Sequence, residues 1–424
     1  MGSVRCVVPP RSAYLHIPFC HRRCYYCDFA VVPLGDKAGG PSAPGSASIE
    51  AYLRDLHREI ALSAGGPPLA TVYIGGGTPS LLSADQIADL LAQLRQHFGI
   101  QAGAELTMEM DPASFERQDL SRLLKAGINR VSLGGQSFDD AVLEQLGRRH
   151  RRHHLLDACG WLNQAFERGD LSSWSLDLIQ NLPDQSLADW HQQLLQALAS
   201  AAPHLSIYDL SVEPGTVMAW RQRQGLLELP EDGLAAELIE HTTITLKQAG
   251  LARYEISNYA RPGHASRHNR VYWSSSGWWA FGMGATSAPW GERLARPRTR
   301  QAYREWLDDQ QANGLHPSLI KAKATPLPLD DCLLVGLRCR EGIDLEAQAK
   351  AAGWSETVCR DHLPALHARW QQALERGWLQ RHGRRLRLTD PLGMTLSNQV
   401  LVELVLWWDA LPPDVVAQSI PEEP

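Results

Sequence analysis

The sequence predicts an α/β protein of about six β/α units, followed by a smaller and mainly helical module. Strand-like and helix-like segments alternate through the first 250 residues, and cysteine, glycine and polar residues follow the predicted strands. Strands that alternate with helices specify a parallel sheet with right-handed crossovers. Six consecutive units are compatible with a doubly wound sheet or with an incomplete barrel, and both place ligands at the carboxyl ends of the strands.

The composition is that of an ordinary globular protein. A chain of 424 residues is long enough to bury a sizeable core. Of these residues, 44% are hydrophobic and 21% are charged, which are ordinary values for a globular protein. The net charge of −6 argues against a nucleic-acid partner, which requires a basic surface. No apolar run approaches the roughly 18 residues of a transmembrane anchor, and the amino-terminal residues lack the apolar stretch of a secretion signal. We therefore expect a cytoplasmic protein.

Short β-prone segments define the predicted strands, and the segments between them show the pattern of helices. The predicted strands are residues 14–17, 71–74, 106–110, 130–133, 173–179 and 204–210. The predicted helices are residues 83–97, 115–126, 139–166 (as one or two helices), 185–199 and 231–249. Ser83 and Gln86 fit a capping box at the start of the first of these helices.

Three predicted domains follow from this pattern. Residues 1–250 form the core, in which residues 33–48, rich in Pro, Gly, Ser and Ala, are interpreted as a flexible surface insertion. Residues 251–320, rich in Gly, Ser and aromatic residues, are expected to be irregular strands and loops that close the core. Residues 321–424 are expected to be a helical module with a hairpin like that of a winged helix and a packed helix over residues 396–408.

A cluster of cysteines follows the first predicted strand. Cys20, Cys24 and Cys27 have the spacing C-x3-C-x2-C. Thiolates are soft ligands that select zinc or iron–sulfur clusters. A structural zinc site requires four closed ligands, whereas three thiolates on a four-iron cluster leave one iron open to bind a reactant. On the residues alone, a zinc knuckle completed by His21 or Cys6 remains an alternative.

The cysteine spacing resembles that of the radical S-adenosylmethionine (SAM) superfamily. The resemblance implies an incomplete (β/α)6 barrel and a [4Fe–4S] cluster whose open iron chelates the amino and carboxylate groups of SAM. It also implies that an electron from the cluster cleaves SAM to methionine and a 5′-deoxyadenosyl radical. An electron donor such as a flavodoxin or ferredoxin is then an expected partner.

Further motifs extend the resemblance over roughly residues 12–395. YLHIPFC, the glycine turn GGGTP, MEMDP and GINRVSLGGQSFDD resemble the subfamily that contains the oxygen-independent coproporphyrinogen III oxidases and the HemW-type heme chaperones. The SAM-contacting positions that this resemblance implies are Tyr14, Tyr26, Gly76, Gly77, Thr78, Glu109, Gln136, Arg148, Asp177, Ser211 and Ala288. Taken alone, the glycines are an ordinary turn, and Glu109 is an ordinary carboxylate at a strand end.

Some of these residue types have a physical rationale of their own. Gln136 offers two donors and an acceptor, and Arg148 can meet a carboxylate with a planar fork. Asp177 lies in an apolar strand, where burial is costly unless the carboxylate is paired or hydrogen-bonded. The neighbouring Arg149, Arg151 and Arg152 are interpreted as a solvated helix face.

Three features separate the two branches of the subfamily. The oxidases carry a further cysteine two residues after the triad, where this chain has Phe29, and a long amino-terminal extension, where 13 residues precede Tyr14. The segment His268–Trp273 matches the HNxxYW motif, which is characteristic of the HemW group and implicated there in heme binding. Imidazole is a standard axial ligand of heme iron. On the residues alone, a satisfied loop histidine is the preferred interpretation of His268, and His264 is a nearby competitor.

The sequence therefore favours a heme chaperone that binds heme, a [4Fe–4S] cluster and SAM and passes heme to acceptor hemoproteins. The alternative is an oxygen-independent coproporphyrinogen III oxidase of porphyrin biosynthesis, which decarboxylates two propionates by radical SAM chemistry. Another radical SAM enzyme with a different substrate is a third interpretation.

Overall fold

A computed structural model of the chain describes residues 9–35, 45–291, 293–314 and 327–418. Its strands are β1 (Ser12–Ile17), β2 (Phe19–Cys20), β3 (Val32–Pro33), β4 (Leu69–Gly76), β5 (Ile100–Met110), β6 (Arg130–Gln136), β7 (Ser173–Gln180), β8 (His204–Asp209), β9 (Ala252–Arg253), β10 (Asn258–Ala260), β11 (Trp279–Phe281), β12 (Thr286–Ser287), β13 (Leu294–Ala295), β14 (Leu379–His382) and β15 (Arg385–Leu388).

The helices alternate with the long strands and then dominate the carboxyl-terminal part. They are α1 (Ser46–Leu62), α2 (Ala84–His97), α3 (Arg117–Ala126), α4 (Asp140–Gln145), α5 (Arg152–Glu167), α6 (Leu187–Ala199), α7 (Val217–Arg223), α8 (Asp232–Gln248), α9 (Arg267–Trp273), α10 (Arg300–Asn313), α11 (Leu329–Leu337), α12 (Leu345–Ala351), α13 (Glu356–Arg369), α14 (Gln371–Glu375), α15 (Leu392–Thr395), α16 (Ser397–Asp409) and α17 (Pro413–Gln418).

The strand order decides between the two predicted architectures. The main sheet has the order β11-β1-β4-β5-β6-β7-β8-β10-β9. Strands β1, β4, β5, β6, β7 and β8 pair in parallel with their neighbours in the chain. A doubly wound sheet reverses its strand order at a switch point, and this sheet does not. In the described part of the chain the edge strands β9 and β11 are not paired with each other, so the predicted incomplete barrel is confirmed.

The ends of two helices lie where the sequence places their caps. The Ser83 hydroxyl accepts from the Gln86 N–H and the Gln86 side chain accepts from the Ser83 N–H, which confirms the capping box before α2. Helix α3 ends at Gly127, whose φ of +119° favours a residue without Cβ. The helical pattern over residues 139–166 is two helices, α4 and α5.

Two regions differ from the expectation. Pro33 belongs to β3 and residues 46–48 begin α1, whose buried apolar residues recur every three or four positions; residues 36–44 of the expected insertion lie outside the described residues. The region after residue 250 contains helix α9 as well as loops and short strands. The Ser266 hydroxyl accepts from the Asn269 N–H, and the Glu105 carboxylate accepts from the His268 N–H, so both contacts secure the first turn of α9.

The carboxyl-terminal part has a hydrophobic core of its own. The buried residues of this core come mainly from α11, α13 and α16, with Trp354, Trp370 and Trp407 among them. Strands β14 and β15 form an antiparallel hairpin beside these helices. The predicted helical module with its hairpin and its last packed helix is therefore confirmed. None of the helices in the described ranges combines the length and the apolar character needed to cross a membrane.

A buried ion pair joins α1 to the segment that follows β11. Arg296 Nε lies 2.8 Å from Glu59 Oε1, and the two side chains are 0% and 3% exposed. The Tyr303 hydroxyl and the Gly282 N–H donate to Glu59 Oε2 at 2.6 and 2.7 Å. Removing the carboxylate leaves a buried guanidinium without its counter-charge, which is far more costly than losing an exposed pair.

We expect Glu59→Ala to lower the free energy of unfolding by about 3–5 kcal/mol. Asp55→Ala, on the same helix, is the matched control because its partner Arg304 is 52% exposed, and we expect it to cost less than about 1 kcal/mol. Urea denaturation of both variants, followed by circular dichroism, measures the difference. Equal losses in the two variants would contradict this account of the buried pair.

Candidate functional site

The carboxyl ends of the parallel strands open into a cavity of about 370 Å³. This volume lies within the range of about 300–1,000 Å³ that is usual for small-molecule sites. Most of the residues that the sequence predicted for the site form its wall. They are Cys20, Cys24, Tyr26, Cys27, Gly76, Gly77, Thr78, Glu109, Gln136, Arg148, Asp177 and Ser211.

The loop that carries the three cysteines, residues 20–27, is fixed from two sides. The Tyr25 N–H donates to the Leu146 carbonyl at the end of α4, and the Tyr25 carbonyl accepts from the Met218 N–H of α7, both at 3.0 Å. The three thiols line the cavity, and no three His, Cys, Asp or Glu side chains of the described ranges are arranged to hold a single metal ion. Burial raises the pKa of Cys20 to about 12.

The glycine turn after β4 lies directly against the cysteine loop. A Cβ at Gly77 would lie 2.7 Å from both Cys20 Sγ and the Phe19 carbonyl oxygen. The Gly77 N–H donates to the Ile17 carbonyl and the Thr78 N–H to the Phe19 carbonyl, at 2.8 and 2.7 Å. Only a residue without a side chain permits this approach. The Cys20 thiol therefore fills the space that a side chain at position 77 would need.

Arg148 is held by a carboxylate that the sequence analysis did not single out. Its Nη2 lies 2.6 Å from Asp111 Oδ2 and 2.8 Å from the Gly134 carbonyl oxygen, while Nη1 lies 3.6 Å from Cys24 Sγ. Burial opposes ionisation of Asp111, but the Arg148 guanidinium outweighs it and lowers the pKa of the carboxyl group. Asp111 follows Glu109 by two positions at the end of β5, which is the signal that could have found it.

Glu109 lies in the wall as an acceptor. Its Oε2 accepts from the Gly76 N–H at 2.9 Å, and its Oε1 accepts from the Tyr73 hydroxyl at 3.0 Å. Burial raises the pKa of Glu109 to about 7 despite these two donors. A Cβ at Gly75 would lie 2.8 Å from Glu109 Oε1, so this glycine also makes room for the carboxylate.

Asp177 shows how an acidic residue is accommodated in an apolar strand. The Ser132 and Ser175 hydroxyls donate to its two carboxylate oxygens at 2.7 and 3.0 Å. Burial raises the pKa of Asp177, and the hydroxyl donors oppose that rise. The hydrogen bonds that the sequence required are therefore present. Gln136 lies in the adjacent wall with a left-handed φ of +63°.

Tyr14, His268 and Ala288 do not line this cavity. The Tyr14 ring stacks on Tyr73 at 6.1 Å, and its hydroxyl bonds His16 Nδ1 at 3.0 Å. His268 is 0% exposed: Nδ1 bonds the Thr71 hydroxyl and Nε2 bonds the Tyr272 hydroxyl, both at 2.8 Å. Burial lowers the pKa of His268 to about 3.

The surroundings of Ala288 and His16 explain why neither residue lines this cavity. Ala288 is buried in an antiparallel bridge with Trp278 and faces a different cavity, between the barrel and the carboxyl-terminal module. His16 bonds the Ala30 carbonyl through Nε2 at 2.8 Å, in keeping with a structural histidine.

Comparison with known proteins gives the relationship of the whole chain. A model of the radical SAM superfamily matches residues 14–193. The heme chaperone HemW of Synechocystis sp. is 38% identical over 414 residues, which cover 93% of this chain and 96% of that protein. The HemW of Lactococcus lactis is 33% identical over 398 residues, with 94% and 98% coverage. The chain belongs to the HemW family. Membership of the radical SAM superfamily implies a [4Fe–4S] cluster and SAM as its cofactors.

The fold is also found in a solved structure. The coproporphyrinogen III oxidase HemN of Escherichia coli superposes with a TM-score of 0.74, covering 94% of this chain and 90% of that one. The two sequences are 22% identical, so this likeness establishes the shared fold alone.

We expect Gly77→Ala to prevent the thiols from taking up iron, because the new methyl group would lie 2.7 Å from Cys20 Sγ and displace the thiol. Gly160→Ala is the matched control, since a Cβ there meets nothing within 4 Å. Iron and sulfide content after anaerobic reconstitution measures the outcome. A Gly77→Ala protein with the iron content of the parent would contradict the expected clash between a Cβ at this position and Cys20 Sγ.

Proposed function

We propose that the chain is a heme chaperone of the HemW type, which binds heme and transfers it to acceptor hemoproteins. One observation carries this proposal: the thiol-lined cavity adjoins a second cavity that is lined by the HNxxYW helix α9. Tyr208 lines both cavities. The barrel has side chains suited to bind cofactors at its strand ends and an aromatic cleft beside them. This arrangement suits a protein that holds a tetrapyrrole next to an iron–sulfur cluster. The names of the HemW relatives supply the activity.

The donor set of the first cavity fits the cofactors of the superfamily. Cys20, Cys24 and Cys27 are soft thiol ligands in one wall, and three of them leave one iron of a four-iron cluster open. When bound, the cluster supplies the electron that cleaves SAM. Arg148 places a positive charge 3.6 Å from Cys24 Sγ, so a guanidinium adjoins the group of three thiols.

We assign the remaining wall to SAM. Glu109 accepts from the ribose hydroxyls or the ammonium group. The Asp177 carboxylate is oriented by hydrogen bonds from the Ser132 and Ser175 hydroxyls. The other assigned wall residues are Tyr26, Gly76, Gly77, Thr78, Gln136, Arg148 and Ser211. Tyr14 and Ala288 stay predicted positions that this wall does not include.

The second cavity, of about 420 Å³, is where we place heme. Tyr272 and Trp273 of α9 and Trp278 before β11 give it flat aromatic walls, which suit a porphyrin face. Arg293 at the same cavity is half exposed and lies 3.3 Å from Asp331, so it has to exchange this carboxylate for a propionate to bind one.

We assign His268 as an iron ligand on the condition that its ring changes orientation. Both of its ring nitrogens are engaged by Thr71 and Tyr272 inside the barrel. To ligate heme iron, the ring has to leave both partners and turn into the cleft beside Trp273. The neutral imidazole that burial enforces is the form that binds a metal.

The oxidase alternative shares the fold and differs at one accessible position. Phe29 stands where the oxidases carry a further cysteine, and it is exposed at the mouth of the thiol-lined cavity. This difference favours the chaperone over decarboxylation of coproporphyrinogen III.

We expect the reconstituted protein, with SAM under anaerobic conditions, to take up heme stably and to pass it to an apo-hemoprotein. Trp273→Ala should weaken heme uptake at least tenfold because it removes an aromatic wall, and His268→Ala should remove the spectrum of a histidine-ligated heme. Absorption spectra and heme content after gel filtration measure both effects.

His264→Ala is the control for this experiment, because His264 lies outside both cavities and bonds Ser173. Coproporphyrinogen III supplied in place of heme should remain unchanged. Conversion of coproporphyrinogen III to protoporphyrinogen would contradict the chaperone proposal and identify the protein as an oxidase.

We expect SAM affinity to depend on pH through Glu109. Only the ionised carboxylate accepts from both the ribose hydroxyls and the ammonium group of SAM. The raised pKa of Glu109, about 7, leaves the carboxyl group largely protonated at pH 6. Affinity should therefore rise by about tenfold between pH 6 and pH 8. Glu109→Gln should flatten this dependence, and the exposed Glu346→Gln on the carboxyl-terminal module should retain it. Equilibrium binding of SAM to the reconstituted proteins gives the slopes, and equal slopes for Glu109→Gln and the parent would contradict the assignment.

A further inference from the structure

The outer face of the cysteine loop is basic in a chain whose net charge is −6. Arg22 Nη2 and Arg151 Nη1 donate to the same carbonyl oxygen, that of Arg148, at 2.5 and 3.0 Å. Arg23 Nη2 donates to the Phe29 carbonyl at 2.8 Å. On the other side of the loop, Arg298 donates to the Asp28 carbonyl.

These guanidinium groups keep their charge because a backbone carbonyl carries none to cancel it. Some exposed arginines elsewhere face carboxylates, as Arg58 faces Asp308 at 2.7 Å, whereas others, such as Arg117, face neutral acceptors. Carboxylates share the region of the loop, and Asp111 and Glu213 line the same cavity as Arg22, Arg23 and Arg149. The Asp28 side chain is half-buried, and Glu144 lies 3.7 Å from Arg151. The exposed Arg149 and the Arg221 guanidinium over the Tyr25 ring add further positive charge.

An exposed aromatic residue lies among these charges. Phe29 is 54% exposed, follows Cys27 by two residues and lies at the mouth of the thiol-lined cavity. A large apolar side chain surrounded by arginines is the usual composition of a protein-binding hot spot. We call Phe29 with Arg22, Arg23, Arg149 and Arg298 the loop rim.

We propose that the loop rim is the docking surface for an acidic one-electron carrier protein. The proposal rests on the proposed function, because it needs the redox-active cluster that the three cysteines are assigned to hold. Reduction of the cluster takes one electron, which the reduced carrier loses as it becomes oxidised by one electron. The side chains of the chain contain no donor of that kind, so the electron has to enter from a partner.

The position of the loop rim suits this role on two grounds. Electron transfer weakens steeply with distance, and Arg22 and Arg23 of the rim belong to the loop that carries the three cysteines. Positive charge on the rim attracts a negatively charged carrier, accelerates the encounter and makes it dependent on salt. The carboxyl-terminal module packs instead near the start of β1, where Pro9–Ser12 and α11 line one cavity.

The test is the reduction of the reconstituted cluster by flavodoxin hydroquinone, an acidic carrier, followed by stopped-flow absorbance. Arg22→Glu with Arg23→Glu should slow reduction at least tenfold at low salt, and salt should slow the parent but not this variant. Arg149→Glu is a second variant, because its side chain bonds no described residue, and it should act in the same direction. Phe29→Ala should raise the Kd for the carrier in a binding titration.

Arg360→Glu with Arg384→Glu is the matched control, since it reverses two exposed charges on the carboxyl-terminal module. It should reduce at the rate of the parent. Iron content and reduction by dithionite, a small reductant that needs no docking surface, should be unchanged in every variant.

Equal rates in the loop-rim variants and the control would overturn the proposal. So would an equal loss with dithionite, which would mean that the arginines hold the cluster in place. If charge reversal lowers heme uptake and leaves the reduction by flavodoxin intact, then the rim binds propionates and the proposal fails. Failure of heme uptake in the parent, with normal rim effects on reduction, would instead contradict the proposed function alone.

Discussion

The close approach of the glycine turn to the cysteine loop is the constraint on which the rest of the site depends. Gly77 lies where any Cβ would meet Cys20 Sγ, and two backbone hydrogen bonds fix that distance. The turn and the loop follow β4 and β1, which are paired neighbours, so the pairing of two strands sets the position of the thiols. Because Gly75 of the same turn also makes room for Glu109, one stretch of backbone joins the thiol wall to the carboxylate wall.

Most of the barrel could be predicted from the sequence because its strands are short apolar segments that end at glycine, cysteine or acidic residues. Helix α1 was missed although its buried residues have helical spacing, since the Pro/Gly/Ser-rich composition of the preceding residues dominated the interpretation. Helix α9 was missed for a different reason. It has seven residues, and its first turn is secured by Glu105, which is distant in sequence and reaches it only in the folded barrel.

The candidate site divides in the same way. Spacing found the cysteines and the family resemblance found the glycines, because their chemistry is local to one loop and one turn. Asp111 was not found, since its role comes from Arg148, which lies on another segment and meets it only across the strand ends. His268 shows the opposite limit: a motif predicted its importance, but burial between Thr71 and Tyr272 is a tertiary property that no motif expresses. The strand order, which decided between two folds, likewise required the structure.

The arginines of this chain serve different purposes according to what their guanidinium groups face. Arg296 faces the buried Glu59 carboxylate and Arg148 faces the half-buried Asp111 carboxylate, so each charge is neutralised within the protein and fixes a tertiary contact. Arg22 and Arg23 face carbonyl oxygens, which orient the side chains without neutralising them. A net acidic protein can therefore present a basic surface at one place, because hydrogen bonding and charge compensation are separable.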